Sequence, residues 1–347
     1  MTVADKNEKK TRLGFAKKIT ACTVMSVLFV SLVAGNFMMM PALADNGTAT
    51  NSTTNPNSVA GLLSEATNER KAAQQTLRQT LQQDGQAYQQ AERQAQVIYQ
   101  QAVQNATSEY KQAAQMANSA YNQAVQQARS TYSNATSGAH GSITVLDPAM
   151  ATRDQAIANA EDAKTNAIVA AQVTRDKAEY NAWATRQTTV YNALATRDSS
   201  DGAAQANFYT TMGNSTLATQ AQTIGQAHVT ADNAILQAIL TRITAVENAY
   251  VTKDQAVGNA ETTYINAQTS AEITADNSYT HDSKAWNSVL QTYWNALAAL
   301  KQTEDNSIAQ ANAAQTTSVG SADGARDQAM DQAYATMYAA ISTAYSS

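Results

Sequence analysis

Three side chains, His140, His228 and His281, titrate near neutral pH and could act as general base or imidazole ligand, and their spacing already limits what they can do. None has a second His or a Cys at the short intervals that metal sites use. His281–Asp282 comes nearest to a catalytic pair, but adjacent residues on a helix point about 100° apart. A polar surface position is the expectation for all three. The sequence contains no Gly-rich phosphate loop, no Gly-x-Ser-x-Gly elbow and no His-Glu-x-x-His. The reading is non-enzymatic, with no catalytic residue, no cofactor and no metal.

Two columns of chemically capable residues remain. Tyr88, Tyr99, Tyr110, Tyr121 and Tyr132 are each eleven residues apart, and so are Arg153, Lys164, Arg175, Arg186 and Arg197. Five cations about 16 Å apart along one helix edge could bind an anion, and a row of tyrosines could stack on a glycan or peptide. Against the first use, Asp154, Asp176 and Asp198 follow three of the cations directly. The expected role is structural: Arg and Lys stems lie over a seam with their heads in water, and Tyr packs in a seam with its hydroxyl at the rim.

The elements that must carry these columns follow from the repeat. In the first block Ala91, Ala102, Ala113 and Ala124 stand at position 3 of each eleven, and Ala95, Ala106, Ala117 and Ala128 at position 7. The cationic block has Ala160, Ala171, Ala182, Ala193 and Ala204 at position 7. A third block keeps the frame with Thr230, Thr241, Thr252, Thr263 and Thr274 just before position 0, and with Ala238, Ala249, Ala260 and Ala271 at position 7. Eleven residues make three turns at about 3.67 per turn, so these columns hold one face of an almost straight α-helix. Composition agrees: about 70 Ala and about 34 Gln against 13 Gly and 3 Pro disfavour strands and turns. Ala buries little area, so a thick core around a deep pocket is not expected.

The predicted fold is all-α, with long Ala-rich hendecad-repeat helices forming an elongated antiparallel bundle or coiled coil. A long helix is predicted over 58–137 and a hairpin loop over 138–148, where Asp147–Pro148 can cap the next helix. Hendecad and heptad helices follow over 149–318, with a bend near 199–225 where Gly202, Gly213 and Gly225 cluster. A break at Gly320–Gly324 precedes a C-terminal helix over 325–347. Tyr279, Trp286, Tyr293 and Leu300 are seven apart, with Leu290 and Leu297 between them, so a heptad of large side chains replaces the Ala seam. This stripe is the predicted self-association surface.

The eleven-residue pattern, typified by Thr152-Arg153-Asp154-Gln155-Ala156 and Thr252-Lys253-Asp254-Gln255-Ala256, resembles the repeat class of late embryogenesis abundant proteins, exchangeable lipid-binding helices and right-handed coiled-coil stalks. The resemblance is one of period over most of the chain. Neutral amides and hydroxyls stand here where the desiccation and lipid-binding classes carry Lys and Glu, so those functions do not transfer.

Residues 1–44 divide as an export signal does: a basic start from Lys6 to Lys18, a charge-free apolar run from Ile19, and Ala42-Leu43-Ala44 before Asp45. An uncleaved anchor is the rival reading, because the apolar run is long enough to span a bilayer. A Thr/Asn/Ser-rich linker occupies 45–57. Cys22, the single cysteine, goes with the signal, leaving no thiol for a disulfide. The remaining chain is acidic, net about −9 by formal counting, a poor partner for nucleic acid or anionic lipid. Secretion or the cell envelope is the expected location, self-association or another helical envelope protein the expected partner, and membrane contact is confined to an uncleaved signal. A spacer or scaffold is the expected function; a surface binder of polysaccharide, peptide or lipid, or a largely disordered solvating chain, are the alternatives. Secretion by a host with a general export pathway should yield a chain whose first residue is Asp45; terminal sequencing that finds Met1 on a membrane-bound product would establish the anchor instead.

Overall fold

The computed structural model describes residues 59–138, 143–278 and 283–346. Ala44, Asp45, the linker at 45–57, His140, Tyr279 and His281 lie outside them. The chain divides into two compact units, Met1–Leu62 and Leu63–Ser347. Of the first, only the opening turn of one helix is described. The second is built from the remainder of that helix and three more: α1 (Val59–Thr136), α2 (Ile143–Thr211), α3 (Ser215–Asn277) and α4 (Ser283–Ser346). No strand occurs among the described residues. The all-α bundle expected from the repeat is what forms, with α1 on α2, α2 on α3 and α3 on α4, each pair antiparallel.

Local chemistry explains the unusual helix lengths. Ala is the strongest helix former. Thr, a weaker one, places its hydroxyl on the carbonyl four residues back, as Thr152, Thr174, Thr196, Thr230 and Thr274 do at 2.7–2.8 Å. The repeated Thr therefore remains exposed and satisfied without any partner from another helix.

The interruptions differ from the sequence expectation in four places. Helix α2 begins at Ile143, inside the predicted loop, so Pro148 is an internal helical residue rather than its first. Between 199 and 225 there is no gradual bend: α2 runs on to Thr211 and reverses at Met212–Asn214. Gly213 takes φ +71, its N–H donates to Thr210 O and that of Asn214 to Tyr209 O, a Schellman closure. Asn214 then caps α3 through its side chain, which accepts from the Leu217 N–H at 3.0 Å. A break that the sequence did not announce ends α3 at Asn277. Finally, α4 passes through Gly320 and Gly324 unbroken. Both glycines have open space around them, while Asp323 beside them is tied to Arg242 of α3 and to Arg326 of its own helix. Tertiary contacts outweigh the roughly 1 kcal/mol that an exposed helical Gly costs.

Gly202 and Gly225 serve packing instead of bending. A Cβ on Gly202 would stand 2.9 Å from the Gly225 Cα, and one on Gly225 would stand 3.1 Å from the Asp198 carbonyl. Here α2 and α3 touch backbone to backbone. The deepest side chains lie farther along α3, at Ile239 and Ile243. Gly202→Ala should lower stability by about 1–3 kcal/mol through this clash, whereas Gly320→Ala, in open space, should raise it by up to about 1 kcal/mol. Thermal melts of the two variants check the contrast.

Candidate functional site

The two columns singled out in the sequence face each other. Helix α1 lays its Ala95, Ala106, Ala117 and Ala128 column in the interior, and its tyrosines flank that column, half-buried. Because α2 runs antiparallel with the same period, four of the five cations meet a tyrosine. Arg153 lies over Tyr132 at 4.9 Å from the ring centre, Lys164 over Tyr121 at 4.5 Å, Arg175 over Tyr110 at 4.9 Å and Arg197 over Tyr88 at 5.2 Å. The sequence expectation of Arg heads in water is thus corrected: the heads rest on aromatic faces.

The aspartates that follow the cations hold them there. Arg153, Arg175 and Arg197 each bond the next residue, Asp154, Asp176 and Asp198, through Nε at 2.7–2.9 Å. Nε and Nη2 converge on one oxygen, Oδ1, of each Asp, which holds the guanidinium along the helix surface toward α1. Lys164 is followed by Thr165 and Arg186, the fourth cation, by Gln187; with its amide turned so that the oxygen faces the two donors beside it, Gln187 accepts from Arg186 Nη1 at 3.2 Å and from Trp183 Nε1 at 2.9 Å.

A second set of contacts was not anticipated. Asp154, Asp176 and Asp198 of α2 stand 22 residues apart, as do Asp232, Asp254 and Asp276 of α3, and the antiparallel register brings Asp154 to Asp276, Asp176 to Asp254 and Asp198 to Asp232. Between these acid pairs, the same register sets buried Gln187 opposite buried Ile243, and buried Thr165 opposite Ile265. Carboxyl rungs therefore alternate with rungs that include an isoleucine. The signal was present in the sequence as Thr-x-Asp every second repeat in two successive blocks, hidden behind the stronger eleven-residue period.

Burial gives these acids unusual protonation. Asp232 is pushed up to about 8, by removal from water and then by the Asp198 charge. Asp201 is pushed up to about 7 by burial, with Asp84 of α1 contributing. Asp176 is raised by burial and by Asp254, against the pull of Arg175. Asp276 is raised by burial and by Asp154. His228 sits half-buried between α2 and α3 with Nδ1 3.9 Å from Asp198 Oδ2, and burial lowers its pKa. It is a seam residue, not the surface histidine expected.

Of the predicted self-association stripe, Trp286, Leu290, Tyr293, Leu297 and Leu300 are all half-buried, and the Tyr293 hydroxyl donates to Glu272 of α3 at 3.1 Å. Burial, with the Glu272 charge and that bond, drives the Tyr293 hydroxyl up to about 12. The stripe's neighbour Trp294 is exposed. Two open grooves of about 760 and 700 Å³ lie between α3 and α4 at positions that repeat after 22 residues; Ala, Thr and Gln line most of the first, with Met337, and Ala, Gln and Ser most of the second, with Lys253. Among the described residues no group of three His, Cys, Asp or Glu could hold a metal ion, and no helix is long and apolar enough to cross a membrane.

No protein-family model matches the chain, nor does any curated protein or solved structure. The site is therefore read from its own geometry: an aromatic–cation face between α1 and α2, and an acid-rung face between α2 and α3. A double-mutant cycle of Tyr110→Leu with Arg175→Met should give a coupling of about 0.5–1 kcal/mol. The same cycle on Tyr99 and Arg186 should give close to none, since Arg186 is engaged by Gln187.

Proposed function

We propose that this is an exported, non-enzymatic structural protein whose helical bundle acts as a spacer or scaffold in the cell envelope or extracellular space. The observation that carries the reading is the engagement of four of the five pairs in the two columns best suited to ligand binding. Tyrosines covered by a cationic head have no free ring face on that side for a sugar, and cations paired with carboxylates of their own helix have little charge left for an anion. The sequence of residues 1–44 supports export. The half-buried aromatic and aliphatic stripe from Trp286 to Leu300, beside the exposed Trp294, supports self-association or docking of another helical protein there.

Two measurements test this. Light scattering on the secreted chain over a range of concentrations should give a multiple of the monomer mass, reduced in the Trp286→Ala, Leu290→Ala double variant. A concentration-independent monomer would remove self-association from the proposal. A soluble collisional quencher should reach Tyr110 poorly in the native chain and more readily once Arg175→Met uncovers its ring. Free access in the native chain would favour a ligand-binding surface.

A further inference from the structure

The end of the α2–α3 hairpin near its turn gathers more carboxyl groups than its cations can balance. Helix α1 brings Asp84, Tyr88 and Glu92; α2 brings Arg197, Asp198 and Asp201; α3 brings His228 and Asp232. Helix α4 adds Tyr334, packed on the Ala227–Ala231–Met337 cluster next to Asp232. Arg197 is the one guanidinium in this group. It bonds Asp198 at 2.7 Å, lies over the Tyr88 ring and reaches Asp201 only at 3.9 Å. Asp84 Oδ2, Asp201 Oδ1 and Asp232 Oδ2 are buried and have no hydrogen-bond partner.

The Gly202–Gly225 contact prevents these acids from escaping. With the two backbones in van der Waals contact one turn from Asp198, the carboxyls of Asp198 and Asp232 cannot rotate into water without parting the helices. Two such groups at one buried place cannot both be charged at small cost. A proton held between them turns repulsion into a hydrogen bond. Asp84 and Asp201, one turn away across the α1–α2 seam, likewise each bury an oxygen that has no hydrogen-bond partner.

We infer that this cluster is a proton-dependent latch: with Asp198–Asp232 and Asp84–Asp201 each holding a shared proton, α1, α2 and α3 close at the hairpin end, and loss of those protons loosens it. The inference is independent of what the bundle supports or binds. Its direction follows from linkage. Asp232 at about 8 and Asp201 at about 7 in the folded chain compare with about 4 when unfolded. The folded state therefore holds more protons between those limits, so the contribution is fully present below about 4, declines as pH rises above it and is gone once pH has passed the folded values of 7–8. His228, lowered by burial, acts in the opposite sense, but only below its unfolded value of about 6.5. Above pH 6.5 the acids determine the slope.

The test is the melting temperature of the purified chain between pH 6.5 and 9, read by helical circular dichroism, with amide hydrogen exchange over residues 192–236 at the two ends of that range. The native chain should melt several degrees lower at pH 9, and exchange in that segment, corrected for the intrinsic pH effect, should speed up at least tenfold. Asp232→Asn, which keeps a donor opposite Asp198 without a titrating proton, should flatten the slope and melt above the native chain at pH 9. Asp201→Asn should do the same if Asp232→Asn fails to fold. Asp331→Asn, at an exposed position, should leave the slope unchanged. A native melting temperature that is flat or rises across the range would overturn the inference, as would a slope in Asp201→Asn and Asp232→Asn equal to the native one.

Discussion

Register is the constraint on which the rest of this structure depends. Helices built on an eleven-residue repeat present nearly the same surface after every three turns, so a slip of one repeat, about 16 Å, preserves almost every Ala contact. Between α2 and α3 the acids remove that freedom. Because Asp recurs only every second repeat on both helices, a one-repeat slip would set Asp176 against Ile243 and Asp254 against Thr165 in one direction, or Asp176 against Ile265 and Asp254 against Gln187 in the other. Each carboxyl would then be buried without its counterpart, at a cost of a few kcal/mol per rung. Shifting by two repeats restores the matching but loses a whole rung and the Gly202–Gly225 contact. The acid pairs contribute little net stability as they stand, and their effect is to make the alternatives worse.

The α1–α2 seam solves the same problem less strictly. Its cation–aromatic stacks occupy four of five successive repeats, and each is worth about 0.5–1 kcal/mol at a half-exposed site, so a slipped pairing forfeits little. The mark that distinguishes registers is Asp84, which occupies the column position held by Ala95, Ala106, Ala117 and Ala128 in later repeats. It meets Asp201 across the seam. One carboxyl pair thus anchors α1, as three anchor α3, and both anchors converge near the α2–α3 turn. Packing on α1 is otherwise thin, since an Ala column buries little more than one methyl per repeat.

Much of this was legible in the amino-acid sequence. The period established helices and their seam face, and the buried Ala column of α1 lies where position 7 placed it. Glycine was the weak signal. Gly202, Gly213 and Gly225 read alike in one dimension, yet Gly213 turns the chain through a positive φ while the other two let backbones meet inside straight helices. Gly320 and Gly324 do neither. Propensity treats all five as breakers; which of them breaks anything depends on contacts with another helix, here the Arg242–Asp323–Arg326 group. Of the site, the Tyr and Arg columns were visible but their meeting was not, because it requires the antiparallel offset that only the α1–α2 hairpin supplies.

That offset also explains why a chain with so many capable side chains offers so little free chemistry. Tyrosine, arginine and aspartate are the residues that commonly build binding sites, and here they sit at intervals that let each satisfy another across a seam. Arg175 is bonded by Asp176 and lies over Tyr110, while Asp176 shares its other side with Asp254, itself 2.7 Å from Lys253. The chain of contacts runs from α1 through α2 to α3 and recurs about 33 Å away at each second repeat. A site built for ligands leaves some of its polar groups unmatched until the ligand arrives. Here the most evident unmatched groups are the acid oxygens between the helices, and the ligand they can take within that spacing is a proton.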